Sequence, residues 1–317
     1  MKFVKVGWNG ILFETPEDLR LLSERGNFKT GYMRLESENG ILEIKWDPIP
    51  KRAKTISEVA SEFIKQLGKK SKKTEISVRK TKATSVFKHD ASYISLKTNM
   101  EESVYLWYCN ESNRIIICHF AFRSMDEPSR MVVERVMDTL KCHGEDANIW
   151  SLLGFSFKAP STFLLSERKM TVGGSHLILV ESKLTPYKET RREIFFQYYS
   201  MANLLFKDDY KDPAKWMENN YIKNLKRRYG KLEFQKVEPC RFRRHIAAIQ
   251  KGASKSGFLS RGKSLYNNLT WYCSKSNRIY SVTVSSHVRK MFFLKHELDE
   301  EAFEKLTKEV FSSIRCH

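Results

Sequence analysis

The sequence predicts an α+β protein of two tandem repeats, each an antiparallel sheet covered by helices. Three observations predict it. Leu106-Trp107-Tyr108-Cys109, then Ser112-Asn113-Arg114-Ile115, returns as Thr270-Trp271-Tyr272-Cys273, then Ser276-Asn277-Arg278-Ile279, with the same internal spacing. Leu21-Leu22-Ser23-Glu24-Arg25 is repeated letter for letter as Leu164-Leu165-Ser166-Glu167-Arg168. Each half then closes on an acidic, amphipathic segment ending in Cys-His, at Cys142-His143 and at Cys316-His317. The repeats are placed at 1–146 and 147–317, with Gly144-Glu145-Asp146-Ala147-Asn148 as the linker and the second repeat the more basic.

Element by element, Gly10-Ile11-Leu12-Phe13 with Pro16 matches Gly154-Phe155-Ser156-Phe157 with Pro160 as an opening strand. Met33–Ser37 answers to Ile178–Ser182, and Ile41–Trp46 to Ile194–Tyr199, by alternation of apolar and polar positions. Val59, Phe63, Ile64 and Leu67 share one face of a helix over 57–69. Its partner starts at Pro213 behind an Asp212 N-cap and runs through Trp216, Tyr221, Ile222 and Leu225. Strands are expected at 76–79 and 91–96, and at 232–236 and 246–249. Each Trp-Tyr-Cys stretch forms a hairpin across a polar turn, and helices over 127–141 and 299–315 close the halves. The second half is longer by insertions near 183–192, 250–264 and 285–296, which read as loops.

A length of 317 residues suffices for two cores, and 41% hydrophobic with 12% aromatic residues excludes a disordered chain. No apolar run is long enough to span a bilayer as a helix, so the chain reads as cytoplasmic. The formal net charge of +19 is unevenly placed. Residues 1–146 hold 25 basic against 21 acidic residues, the remainder 31 against 16. Such a field favours polyanions. Four glutamines among abundant Lys, Arg and Glu give a thermophile-like composition.

The opening Phe13–Pro16 and Phe157–Pro160, the small-residue strands after His89 and His245, and the element order resemble the Mog1/PsbP-like fold. That resemblance implies an antiparallel sheet between helices and a protein-binding or assembly role, and it transfers no catalytic residue.

Gly257-Phe258-Leu259-Ser260-Arg261-Gly262-Lys263-Ser264 matches the P-loop letters. A working P-loop needs a strand before it and a helix after it. Here Ser264 leads into a strand, so the match reads as accidental. Cys109 with Cys142 and Cys273 with Cys316 sit at matching places, as disulfides or as small buried thiols, while Cys118 and Cys240 have no echo. Zinc would need four converging ligands, and no Cys-x-x-Cys spacing supplies them; Cys142-His143 with Cys316-His317 would have to meet across the two halves. No metal or cofactor is therefore expected. His89 and His245 at strand starts read as structural, and no nucleophile–base arrangement can be assigned from spacing.

The function expected is a non-catalytic binding protein contacting nucleic acid or a ribonucleoprotein. Its phosphate contacts would be Arg227, Arg228, Arg241, Arg243, Arg244, Lys255, Arg261 and Lys263. The alternative is a protein-interaction adaptor or assembly factor with an acidic partner docking on Met291, Phe292, Phe293 and Leu294. A nucleotide-using enzyme ranks third.

Overall fold

The computed structural model describes residues 1–52, 54–70, 76–144, 146–152, 154–206, 209–221, 232–254, 262–290 and 298–316. The chain divides into two units, Met1–Leu153 and Gly154–His317. The division falls after 153 and not after 146. Ala147–Leu152 is a strand that pairs with the first strand of the chain, with Gly7 opposite Ser151.

Unit 1 opens with β1 (Phe3–Trp8) and β2 (Ile11–Pro16). Asn9 and Gly10 join them, both at positive φ (49° and 80°), the two-residue turn whose twist suits a hairpin. Then follow β3 (Arg20–Gly26), β4 (Gly31–Glu36), β5 (Gly40–Pro48), α1 (Ile56–Lys70), β6 (Ser77–Val86), β7 (His89–Lys97), β8 (Glu101–Cys109), β9 (Arg114–Phe122), α2 (Glu127–Thr139) and β10 (Ala147–Leu152). β3 to β9 form one antiparallel sheet in the order β3-β4-β5-β9-β8-β7-β6. Thr55 and Glu58 cap α1 reciprocally, each bonding the other's backbone N–H. Its predicted apolar face, Val59, Phe63, Ile64 and Leu67, packs with Ala60 on Ile94, Leu96, Val104 and Leu106 of β7 and β8.

Unit 2 runs β11 (Phe155–Pro160), β12 (Leu164–Met170), β13 (Gly174–Leu184), β14 (Lys188–Ser200), α3 (Ala202–Leu205), α4 (Pro213–Trp216), β15 (Leu232–Phe234), β16 (Glu238–Phe242), β17 (His245–Ser254), β18 (Gly262–Cys273), β19 (Arg278–Lys290) and α5 (Glu300–Ser313). Its sheet has the order β12-β13-β14-β19-β18-β17-β15, with β16 also on β17. Down its middle runs a buried polar ladder. Asn268 Nδ2 donates to Ser281 Oγ at 2.8 Å and Thr283 Oγ1 at 3.0 Å, and Thr270 Oγ1 donates to Asn268 Oδ1 at 2.9 Å.

The expectation of helix-covered α+β repeats is overturned. The chain is mostly antiparallel strand, and helices are a minor component. Two physical causes account for the miss. The helix expected from Pro213 starts as foreseen, with Asp212 accepting from the Ala214 and Lys215 amides. It then loosens after four residues into a π-turn over Met217–Tyr221, where Asn219 and Asn220 are weak helix formers. The insertions expected as loops also partly become strand. Residues 183–192 lengthen β13 and β14, residues 250–254 lengthen β17, and residues 285–290 lengthen β19. A loop would leave those backbone groups to water, whereas the long β14–β19 ladder pairs them from Lys188 opposite Lys290 to Ser200 opposite Arg278.

The two Trp-Tyr-Cys hairpins turn on asparagine. Asn113 and Asn277 take φ of 51° and 49°, a region that Asn tolerates better than other side-chain-bearing residues. Asn113→Ala is therefore expected to lower stability by about 1 kcal/mol, and Asn113→Gly to leave it nearly unchanged. Urea melts of the three proteins measure this, and an alanine variant as stable as the parent would refute the account.

Candidate functional site

β7 and β8 are antiparallel with Ala91 opposite Trp107. Two residues outward on each strand stand His89 and Cys109, which this register sets face to face at the sheet's end. The third participant comes from the segment after α2. There Lys141 and Leu12 exchange backbone hydrogen bonds at 2.7 and 2.9 Å, which pins the chain so that Cys142 and His143 come next. The result is a cluster of four ligand atoms, His89 Nε2, Cys109 Sγ, Cys142 Sγ and His143 Nδ1, all within 4.8 Å of one another. Cys142 Sγ lies 3.2 Å from His89 Nε2 and 3.5 Å from His143 Nδ1, and Cys109 Sγ lies 3.3 Å from His143 Nδ1. Both cysteines are buried and both imidazoles half-buried.

Unit 2 repeats this device with its own residues. Ala247 faces Trp271, so His245 and Cys273 oppose each other two residues further out. Arg315 and Ser156 exchange backbone bonds at 2.7 Å in both directions, which sets Cys316 beside them. Cys316 Sγ is 3.3 Å from His245 Nε2, and the three ligand atoms lie within 4.8 Å of one another. His317 follows Cys316 in the sequence but lies outside the described residues.

The surroundings of the first cluster polarise its two thiols in opposite senses. Cys109 is pulled down, first by the hydrogen bond from Cys142 and, against burial, by the Ser112 hydroxyl and amide. Cys142 is pushed up, first by that same shared hydrogen bond and then by burial. Trp107, wholly buried beside them, opposes that rise, while its indole Nε1 closes no hydrogen bond. Trp271 stands in the same relation to Cys316, whose thiol burial pushes up to about 11. Arg114, with no exposed surface, sits behind the first cluster and donates to the Cys142 carbonyl at 2.6 Å. On the open side, Phe87 covers the imidazoles, its ring 5.0 Å from that of His143, although φ at Phe87 is a costly 45°. Glu111 Oε2 approaches at 3.6 Å from Cys109 Sγ. Next to His143 is a groove of about 310 Å³, lined among others by Gly10, Leu12, Phe87 and Asn148.

The four described residues among those predicted to hold phosphate do not form one patch. Arg241, Arg243 and Arg244 are exposed together at the β16–β17 turn. No ion pair involves them among the described residues. Arg243 also donates to the Ser312 carbonyl at 2.9 Å, near the C-terminus of α5. Lys263, exposed on β18, belongs to the other end of β17, where Leu265 faces Ala253. The nine residues from Ile246 to Ser254, eight steps along β17, separate the two ends by roughly 27 Å at ordinary strand rise. Arg227, Arg228, Lys255 and Arg261 lie outside the described residues, as do Met291, Phe292, Phe293 and Leu294. The P-loop letters end in a strand, since Gly262-Lys263-Ser264 opens β18 and no helix N-terminus stands there to hold a phosphate.

Reading the sequence missed the cluster because its ligands come from three separated elements. The signal that could have found it was the equal offset of His89 from Ala91 and of Cys109 from Trp107, repeated in the second half.

Fold and site together define a protein of two antiparallel-sheet units, each with a thiol–imidazole cluster at one end of its sheet. No family model and no curated protein sequence matches the chain. Among solved structures it is similar to cyanobacterial PsbP (CyanoP) from Synechocystis, at 9% identity and a TM-score of 0.37, over 44% of this chain and 92% of that one. It is also similar to the T6SS immunity protein TplEi from Pseudomonas aeruginosa in complex with "L" peptide, at 9% identity and a TM-score of 0.33, over 99% and 98% of the two chains. The apo form of TplEi gives a TM-score of 0.31. Likeness at this level transfers neither ligand nor activity. No helix among the described residues is long and apolar enough to cross a membrane.

Proposed function

We propose that the chain is a non-catalytic binding protein that engages nucleic acid through the Arg241–Arg244 turn of unit 2. The observation that supports it most is the presence there of three exposed guanidinium groups within four residues, with no ion-paired carboxylate among the described residues. Arginines without a carboxylate partner among the described residues, on a chain of net charge +19, form a local field suited to phosphate, and their forked donors match its oxygens. By contrast Arg79 in unit 1, also cationic in sequence, is tied to Glu101 at 2.8 Å.

Binding of the nuclease-treated full chain to labelled single-stranded RNA is expected to weaken steeply as salt rises. The triple variant Arg241→Ala/Arg243→Ala/Arg244→Ala should reduce the slope of log K against log salt by about 2, at roughly 0.7 per phosphate contact. The loss should be similar for unrelated oligonucleotide sequences. A wild-type chain that binds no RNA or DNA at low ionic strength would end this reading.

A second reading, a protein-interaction adaptor, is favoured by Met201, Leu204 and Leu205, which are 40%, 73% and 49% exposed around α3. Exposed apolar side chains so close together suit a protein surface better than a polyanion. A partner retained after nuclease treatment and lost in Leu204→Glu would select it.

A further inference from the structure

We propose that unit 1 binds one zinc ion through His89 Nε2, Cys109 Sγ, Cys142 Sγ and His143 Nδ1, as a closed structural site.

The geometry fits that ion closely. Zinc holds thiolate sulfur at about 2.3 Å and imidazole nitrogen at about 2.0–2.1 Å in a tetrahedron, which sets neighbouring ligand atoms about 3.4–3.8 Å apart. Three of the sulfur–nitrogen separations are 3.2, 3.3 and 3.5 Å, and no pair of the four atoms exceeds 4.8 Å. The remaining pairs, also within 4.8 Å, need side-chain shifts of up to about 1 Å to complete the tetrahedron. Two sulfurs and two nitrogens are a set that zinc takes in preference to the harder divalent cations, which want oxygen.

A disulfide between Cys109 and Cys142 would use the same sulfurs but would give the histidines no reason to converge on them. Two separate devices bring the imidazoles in. The strand register sets His89 against Cys109, and the Leu12–Lys141 bridge sets His143 beside both thiols. The surroundings also suit a metal held by anionic sulfur. The Arg114 guanidinium holds the Cys142 carbonyl at 2.6 Å and brings positive charge behind the cluster. Such outer contacts orient ligands and offset the charge of two thiolates. All four positions are taken by protein, and Phe87 lies over the imidazole side, so the site has the form of a structural centre and not of a catalytic one.

Unit 2 strengthens the case without being needed for it. His245, Cys273 and Cys316 occur at the same strand positions and after the same kind of backbone bridge, again within 4.8 Å. Packing alone does not require a histidine and two cysteines to recur at one sheet end.

The test uses the full chain purified under reducing conditions, with metal content measured by elemental analysis and native mass spectrometry. At least one zinc per chain is expected, resistant to brief dialysis against a weak chelator. Cys109→Ser and His143→Ala should each lose one equivalent, while Cys240→Ser, outside both clusters, should lose none. Because a ligand variant could lose metal by unfolding, the wild-type apoprotein is also titrated with cobalt. Sulfur-to-cobalt charge transfer together with the strong visible bands of tetrahedral cobalt is expected, and zinc should erase both. Reduced wild-type protein that takes up neither metal would overturn the proposal. So would folded Cys109→Ser protein with undiminished zinc, or octahedral cobalt spectra without charge transfer.

Discussion

Replacing Arg114 by methionine is expected to unfold unit 1 at temperatures where the wild-type chain is folded. Arg114 has no exposed surface, yet its guanidinium is fully engaged. It donates to the Asn9 carbonyl at 2.8 Å, the Phe28 carbonyl at 3.1 Å, the Cys142 carbonyl at 2.6 Å and the Ser112 hydroxyl at 3.0 Å, and it lies 4.3 Å over the Phe28 ring. Burial pulls its pKa down to about 10, so it remains charged at neutral pH. The group therefore joins the first hairpin, the β3–β4 turn and the segment after α2. Methionine fills the stem but leaves three carbonyls without a donor. At about 1–3 kcal/mol for each buried group left unsatisfied, the loss is about 4 kcal/mol, a large part of a domain's stability. Arg114→Lys should fall about midway, since one ammonium cannot span carbonyls placed around a planar fork. Thermal melts followed by circular dichroism measure both, with a fall of about 10 °C or more expected for methionine. A methionine variant melting within about 2 °C of the parent would show that those carbonyls find other partners.

The second large effect belongs to unit 2. Glu181 on β13 is 6% exposed and paired with Arg192 on β14, with Lys183 Nζ 3.8 Å away. Burial acts to raise the Glu181 pKa, but the Thr162 hydroxyl and the Arg192 guanidinium outweigh it and hold the carboxyl below its usual range. Arg192→Met should cost about 3 kcal/mol, because it strands a buried carboxylate. Replacing both partners, as Arg192→Met/Glu181→Leu, should recover most of that loss, since no stranded carboxylate is then left at that position. A double variant as unstable as the single one would contradict the argument.

The pair also makes a statement about pH. The folded-state pKa of Glu181 is depressed, so its contribution is fully present above the unfolded value near 4.5 and is lost as pH falls through the folded value. Urea midpoints of the parent should therefore drop below the ordinary glutamate range more steeply than those of Glu181→Gln. Glu102 adds to the same acid loss in unit 1. Burial would raise it, but His119 Nε2 at 2.8 Å and the Thr98 hydroxyl at 2.6 Å lower it overall.

Local structure was legible wherever a few neighbouring residues decide it. Asp212, expected as an N-cap, accepts from the Ala214 and Lys215 amides, and Asp126 and Asp299 cap α2 and α5 in the same way, each accepting from a backbone N–H three residues on. The apolar face of α1 lies where its spacing puts it. The insertions expected as loops carry no apolar alternation to mark a strand, since Lys188–Glu193 is polar throughout and His287–Lys290 holds one apolar residue, Val288. Only cross-strand pairing shows that those charges flank a ladder.

By itself, then, the order of residues determined the hairpins, their asparagine turns, the caps and the excess of positive charge. Tertiary structure decided which like residues share a fate. Arg114 and Arg278 occupy matching letters, yet the first is wholly buried in a nest of carbonyls while the second is half-buried over the Tyr198 ring at 4.5 Å. Arg241 and Lys263 are separated by the length of a strand, whereas His89, Cys109 and Cys142 meet across 53 residues of chain. The physical reason is that side-chain chemistry is a property of the residue, but distance is set by strand register and by the backbone bridges that anchor each unit's last turn. Composition carries no trace of either, and spacing shows only the register's equal offsets, not the bridges.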